Sequence, residues 1–580
     1  MKELSPQEWL QEISTGLEFR RLYGLEDEWK TLEGLYYHVD RMVSEFSAPN
    51  LLASLGDALM SELTVPVPVF TVRPRRLTDP SNASILESVD NDLVGDLALV
   101  EAMEDAVLHA FLFGGRGILK IGYDSEWGWD PGLDFGGPEA PLGLSLSQFD
   151  KKGRRIEFAE SVKPGMPWVK AVLPHDIVVP WGVKRLEDSP WIAHRVIRHI
   201  EAIRGDRKYS GTRDLKAVMS GEDFVKSYQT TMKPYRAGQD TVGVAMTREG
   251  RKAVYVEMWE IHDQRTGRII VVATGNDDKV LRDEDDLLQI EGLPFVSFAF
   301  VPQTRNFWVS PDAHYLKANQ AELSDISLQA TKQRRLSILR FLFGEDAFEE
   351  EELSKALSAD VGVAARVKAG MDITRAIVSL TPPNNNMLLY QDAEHVRRDS
   401  REMIGLSRNQ LGEFEASGRR SATEASIVKA SSDQRMGRRM IVVRNAYLKV
   451  MRKVNAMLFR FWTTPRWAKV TGPEGLESWV PFVASNLQGS YAYDLDFSVE
   501  QGLTRQDRQA KAFGLYQALS QDPYIDPIDL RRYLTRQFND PQITAMFEKG
   551  FQNAALRIQM QQAGMQGSGQ GAPSQGGATQ

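Results

Sequence analysis

An uninterrupted heptad seam constrains this chain more than any other feature. Met436, Met440, Val443, Tyr447, Val450, Val454, Met457 and Phe461 are spaced 4-3-4-3-4-3-4, which keeps one apolar line on one side of a long helix. Ser421-x-x-Glu424 is a capping box that starts it. Arg435, Arg438, Arg439, Arg444, Lys449, Arg452, Lys453 and Arg460 lie between the seam positions. They read locally as the solvated basic flanks of a core helix. In an assembly some of them could instead face nucleic acid, and periodicity alone does not separate the two readings.

Two polar helices precede the seam. Ser310-Pro311 supplies a capping hydroxyl and a proline suited to the first helical turn, and no Gly or Pro interrupts the chain to about Arg340. Leu316, Leu323 and Ala330 form a thin apolar stripe among Asn319, Gln320, Ser324, Asp325 and Ser327. A helix this polar is expected to bridge solvent or pack against copies of itself. The acidic run Glu345, Asp346, Glu349, Glu350, Glu351 and Glu352 follows. Alternating Val361, Val363 and Ala365 then suggest a small α/β excursion, closed by Thr381-Pro-Pro383. Asn384–Asn386 cap the second polar helix, with Leu389, Ala393, Val396 and Met403 expected on its buried face. Residues 406–420 have two glycines and no period, and read as a loop.

Earlier in the chain, Ser5-Pro-Gln-Glu8 is a capping box, and helices are expected over 25–39, 50–63 and 91–113. Val65–Pro74 holds three prolines and reads as an edge strand. Gly114-Gly-Arg-Gly117 follows a helix and precedes a strand, the reverse of a phosphate loop, so it reads as a cap and turn. Strands are expected at 118–123, 168–172, 191–200 and 293–301. The best hairpin pairs Val254–His262 with Arg268–Ala273. Residues 205–250 read as a mobile insertion. Tyr491, Tyr493, Leu495, Phe497 and Val499 alternate as a half-buried strand, helices punctuated by prolines follow, and the Gln- and Gly-rich end reads as disordered.

The search for chemistry is mostly exclusion. The 580 residues include no cysteine, so disulfides and thiolate ligands are ruled out. No apolar run approaches the ~20 residues of a membrane span, and the N-terminus carries no signal-peptide core. A net charge of −8 argues against coating nucleic acid through overall charge. No G-x-x-x-x-G-K-[ST] loop is present, and none of the eight histidines shows zinc spacing. His194 and His199 are off helical register. His175-Asp176 could imitate a base and its orienting acid but lacks a nucleophile. Asp283-Glu-Asp-Asp286 could bind a cation but lacks the spacing of a calcium loop.

This order of elements resembles the portal protein, or head-to-tail connector, of tailed bacteriophages. The resemblance implies an α+β, mostly helical subunit built of wing, stem, clip and crown and assembling into a ring. Residues 1–309 and 421–503, which hold the long helix, correspond to the wing. Residues 310–340 and 384–405 correspond to the stem helices, 341–383 to the clip and 406–420 to the tunnel loop. Residues 504–558 correspond to the crown, and 559–580 to a disordered tail. The family implies a homo-oligomer, usually a dodecamer, at one capsid vertex of the virion, made in the bacterial host cytoplasm. Double-stranded DNA would pass through its channel. The terminase large subunit and later a head–tail adaptor would dock on the clip, and major capsid and scaffolding proteins would surround the ring. Arg408, Asn409, Gln410, Arg419 and Arg420 become candidate DNA-facing residues, and Glu345, Asp346 and Glu349–Glu352 candidate partner-binding residues. No cofactor, metal or catalytic residue is implied. Two other readings stay open: a ring-forming virion or baseplate protein without DNA passage, and a metal-dependent enzyme using residues 283–286.

Overall fold

A computed structural model of the chain describes residues 4–37, 49–64, 68–75, 80–123, 166–206, 208–220, 253–276, 278–286, 290–301, 305–336, 340–343, 349–352, 377–380, 386–406, 422–462, 465–471 and 477–496, with a few isolated positions. Residues 498–580 form a separate unit in which only Gly514 and Gln517, both helical, are described. The expected crown helices and Gln-rich tail therefore lie outside the described residues.

The N-terminal capping box forms as its residues require. Ser5 Oγ accepts from Glu8 N at 3.3 Å while Ser5 N donates to Glu8 Oε2 at 2.7 Å, starting α1 (Pro6–Gly24). Helices α2 (Glu26–Tyr36) and α3 (Leu51–Leu63) follow. The single helix expected over 91–113 is two, α4 (Pro80–Asp96) and α5 (Leu99–Leu112). Asn91 does not start a helix, because its amide brackets the Phe70 backbone, accepting from N at 2.8 Å and donating to O at 3.0 Å. The break falls at Ala98, which adopts a left-handed φ of 46°. It re-aims the second helix so that Leu93 on one side and Leu99 and Met103 on the other are all buried.

Gly114 and Gly115 both take left-handed φ values and turn α5 into β2 (Gly117–Tyr123), so the glycine cluster is a cap and turn as expected. With β3 (Pro167–Ala171) and β10 (Phe295–Phe298), β2 makes an antiparallel three-stranded sheet. A six-stranded antiparallel sheet contains β4 (Ile177–Val178), β5 (Trp191–His199), β7 (Ala253–Asp263), β8 (Arg268–Ala273) and β9 (Val280–Asp285), with β6 (Met219–Ser220) on β7. Its hairpin β7–β8 is the one the sequence announces. The short helix α6 (Ile200–Gly205) follows β5. Trp9 and Ile13 of α1 pack on one face of this sheet beside Trp191, Trp259 and Ile261. A Cβ on Gly16 would come within 2.4 Å of Val178 Cγ1, so only glycine lets α1 approach so closely.

The start of the insertion expected over 205–250 is fixed rather than loose. Leu215 is buried, Ser210 N donates to Leu281 O at 2.7 Å, and Val218 N donates to Tyr255 O at 3.0 Å. Short backbone contacts of this kind leave no periodic signature. Residues 221–252 lie outside the described residues.

Helix α7 (Asp312–Leu336) leads to β11 (Arg340–Phe343), which pairs antiparallel with β12 (Ile377–Leu380) before α8 (Asn386–Ile404). The heptad helix is α9 (Ala422–Phe461), 40 residues and therefore about 60 Å long. Val443, Tyr447, Val450, Val454 and Met457 are fully buried, and Ala446, Met451 and Leu458 beside them widen the seam. The seam faces a mixed core of helices and strands. Beyond α9 lies a hairpin absent from the sequence expectations, β13 (Arg466–Thr471) with β14 (Glu477–Phe482). It was hidden because Trp467 and Trp479 stand exposed on its outer side, removing the polar alternation that marks a half-buried strand. The expected strand after it is β15 (Tyr491–Asp496), with Phe497 and Val499 outside the described residues; among the described strands it pairs only with β1 (Val69–Pro74), which leaves β1 at an edge as expected.

One buried polar contact ties α4, α9 and β15 together. Asn455 Nδ2 donates to Asp90 Oδ2 at 3.1 Å and to Tyr493 Oη at 3.2 Å. Asp90 Oδ1 and Asn455 Oδ1 are both buried without partners among the described residues. Burial holds the Asp90 carboxyl pKa well above the usual range. The folded state therefore keeps a proton that the unfolded chain releases. This contribution to stability is complete below pH ~4 and declines as pH rises toward the raised folded value. In Asp90→Asn the new amide supplies a permanent donor for Asn455 Oδ1. Its thermal stability should exceed that of the parent at neutral pH and converge with it in acid. A variant less stable at neutral pH would mean that the carboxylate is accommodated as such.

Candidate functional site

The candidate site is built on the α7–α8 hairpin. Pairing of β11 with β12 fixes the far ends of the two helices side by side. Near their other ends Asn319 Nδ2 donates to Ser400 Oγ at 2.8 Å, and Ser400 Oγ donates to Val396 O at 2.6 Å. Contacts at both ends make the pair antiparallel. The thin stripe of α7 is buried as expected at Leu316, Leu323 and Ala330. Gln320 joins it because its amide serves another helix end. Its Oε1 accepts from Leu51 N at 2.7 Å, an N–H that the first turn of α3 leaves open, and its Nε2 donates to Pro49 O at 3.2 Å just before that helix.

The start of α7 is pinned to α9. Arg439 grips Asp312 with Nη1 at 2.6 Å from Oδ2 and Nη2 at 3.4 Å from Oδ1, and lies 5.4 Å from the Phe300 ring centre. Glu28 of α2 holds His314 at 2.8 Å and Lys317 at 3.7 Å, and the His314 bond lowers the Glu28 carboxyl pKa.

The basic flank of α9 is largely engaged within the chain. Arg444 pairs with Asp494, and Lys449 with Glu187. Lys453 donates to the carbonyls of Glu291 and Leu293 at 3.0 and 2.8 Å, and burial lowers its pKa. Arg452 and Arg460 lie over the rings of Tyr493 and Phe461, while Arg438 is exposed. The side chain of Arg435 lies outside the described residues.

On α8 the buried face differs from the one the sequence suggests. Ala393 and Val396 are buried and Leu389 is half-buried, but Met403 is 56% exposed, and Ser400, Arg401 and Ile404 take the inner positions. Successive helical residues turn by about 100°, so the buried positions Ala393, Val396, Ser400 and Ile404 centre about 45° to one side of Val396, and Met403, about 20° to its other side, falls at the edge of the face. Met387, Leu388 and Tyr390 are exposed at 73%, 59% and 57%. In the sequence they form an unbroken Met-Leu-Leu-Tyr run opening an otherwise polar helix, a cluster that a single helical stripe does not contain. Tyr315 on α7 and Ile441 on α9 are exposed as well.

Helix α8 closes at Gly405, whose φ of 86° lets Gly405 N and Leu406 N both donate to Arg401 O, at 2.8 and 3.0 Å. Arg408, Asn409, Gln410, Arg419 and Arg420 lie outside the described residues, as do Glu345 and Asp346. Glu349, Glu350 and Glu351 are exposed and Glu352 is half-buried.

The other sequence candidates resolve into structural contacts. Asp283 pairs with Arg268 at 2.8 Å, Glu284 pairs with Arg282, and Asp286 Oδ1 accepts from Leu288 N at 2.9 Å. Among the described residues no group of three or more His, Asp and Glu is placed to hold a metal. His175 sits in the turn Pro174–Asp176 between the rings of Trp29 and Phe113, and burial, reinforced by Arg20 and Arg195, pulls its pKa down to about 3. Asp176 faces Arg195 at 2.7 Å. His194 and His199 lie on opposite faces of β5, and His199 Nδ1 accepts from Glu201 N to start α6. No helix among the described residues is long and apolar enough to cross a membrane.

A sequence model of the phage SU10 portal protein family matches residues 145–555, well over half of the chain and inclusive of α7, α8 and α9. No curated protein matches.

The Arg439–Asp312 pair yields a stability test. Both side chains are mostly buried, so Arg439→Ala should leave an uncompensated carboxylate and cost ~3 kcal/mol in chemical denaturation. Arg439→Met combined with Asp312→Leu should cost clearly less. Equal losses would show that the pair does not act as a unit.

Proposed function

The chain belongs to the phage SU10 portal protein family, and from that premise we propose that it forms the ring at one capsid vertex through which double-stranded DNA is packaged and ejected. In this reading α7 and α8 are the stem, residues 341–383 the clip, 406–420 the tunnel loop, 504–558 the crown, and the rest of the chain before residue 504 the wing. The clip, with Glu349, Glu350 and Glu351 outward, receives the terminase large subunit and then a head–tail adaptor. Capsid and scaffolding proteins contact the outside of the ring, which has the twelve-fold symmetry usual in portal proteins. Its role is structural, and the nucleotide hydrolysis that drives packaging belongs to the terminase.

The observation that carries this reading is the stem hairpin. Its two polar helices are locked antiparallel by contacts at both ends, yet Met387, Leu388 and Tyr390 face outward. A neighbouring copy would cover that apolar turn. The electrostatics agree. Each phosphate neutralised by a cation adds binding free energy and slows a moving duplex, and most described cations of α9 are engaged inside the subunit. Arg408, Arg419 and Arg420 then provide a few local contacts.

Native mass and negative-stain electron microscopy of the full chain should show rings with an axial channel wide enough for duplex DNA. A small closed oligomer without a channel would overturn the assignment. Leu388→Glu should leave the melting temperature of the subunit unchanged within ~1 °C while preventing ring formation; intact rings would remove Leu388 from the interface. Arg419→Ala should assemble normally and change the fraction of particles that retain DNA, and an unchanged fraction would remove its assigned role.

A further inference from the structure

The six-stranded sheet changes character along the face that α1 does not cover. Val256, Met258 and Val271 are buried there with Ile203 and Leu215, but the next positions on β7 facing the same way are Glu260 and His262. His194 lies opposite Glu260 on β5. Lys120 of β2 and Trp168 of β3 approach from the three-stranded sheet, and a cavity of about 130 Å³ remains between the sheets.

The floor of this cavity is internally satisfied. Lys120 Nζ donates to the two Glu260 oxygens at 3.1 and 3.3 Å and lies 3.3 Å from His194 Nδ1, which accounts for all three ammonium protons. His262 Nε2 donates to Glu260 Oε1 at 2.7 Å. Two polar atoms are left over: Trp168 Nε1, a donor, and His262 Nδ1, an acceptor once the ring proton is on Nε2. Both are buried without a partner among the described residues, on side chains that line the cavity and belong to residues only 4% exposed. Burial, reinforced by Lys120, holds His194 neutral with a pKa of about 3. With Nδ1 accepting from Lys120, its proton remains on Nε2 as another donor.

The walls add positive charge. Lys120, Arg198, Lys208 and Arg282 line the cavity against the two carboxylates Glu260 and Asp286. Arg198 uses Nη1 on Asp206 at 3.0 Å, and Arg282 is engaged by Glu284. Each guanidinium has five N–H donors, so both retain capacity.

We propose that this cavity binds a small tetrahedral oxyanion, with hydrogenphosphate as its preferred ligand. The anion accepts from Trp168 Nε1, His194 Nε2 and the arginines, and its P–OH donates to His262 Nδ1. Sulfate, which lacks that proton, leaves His262 Nδ1 unmet. A duplex backbone is too large for the space, so the site is separate from DNA passage and independent of the portal assignment.

The experiment titrates inorganic phosphate into the full chain at fixed ionic strength and slightly alkaline pH, with sodium chloride and sodium sulfate as parallel arms. Phosphate should raise the melting temperature saturably, by roughly 3 °C at high occupancy, and sulfate by much less. Trp168→Phe, which removes one N–H and keeps the ring packing, should melt normally in chloride and bind phosphate about tenfold more weakly. Absence of a saturable rise over chloride would overturn the site, leaving water to satisfy both orphan atoms. An equal response to sulfate, or an unaltered phosphate response in Trp168→Phe, would overturn the recognition scheme.

Discussion

Burial of one face of a single helix organises Met1–Phe497. Val443, Tyr447, Val450, Val454 and Met457 are withdrawn from water together, each burial contributing about 2 kcal/mol before entropy is counted. They share one core with α3, α5 and the strands β2, β3 and β10. Because α9 is continuous over 40 residues, it sets the relative positions of parts of the chain hundreds of residues apart. Asp90 meets Asn455, Glu187 meets Lys449, and Asp312 meets Arg439. The polar contacts add register to an apolar attraction that by itself has no direction.

That division explains what could be read from the sequence. Long periodic elements were legible: the seam of α9, the stripe of α7, the β7–β8 hairpin and the capping box at Ser5. Each is specified by residues close together in the chain. What escaped was decided at a distance. The break at Ala98 depends on α4 docking against β1, where Asn91 engages the Phe70 backbone. The fixed start of the insertion depends on Leu281 and Tyr255, far away in sequence. The inner face of α8 is centred on Ser400, a small polar residue that bonds Asn319 of α7, so an apolar stripe drawn through 19 mostly polar residues is displaced to one side of it.

The candidate site shows the same limit in its charges. A run of arginines and lysines on a helix looks like a surface offered to an anion. Here Arg439, Arg444, Lys449 and Lys453 find carboxylates or carbonyls inside the subunit. Their partners lie between 50 and 262 residues away, where no spacing rule reaches. The apolar opening of α8 was legible in principle, since Met387, Leu388 and Tyr390 are consecutive or nearly so. One stripe of four residues satisfies the helical pattern, and these three apolar side chains are surplus to it.

Pairing of Phe343 with Ile377 and Arg340 with Leu380 closes the excursion between α7 and α8 at its root. Neighbouring strands hold their chains about 5 Å apart, so the distance the helices must span is set below the excursion and not by it. The segment between the strands can then change length or sequence at little cost beyond a slowly growing loop entropy. With the docking role proposed for this segment, such a neck makes it interchangeable: replacing it changes the attachment partner while the helices beneath keep their geometry.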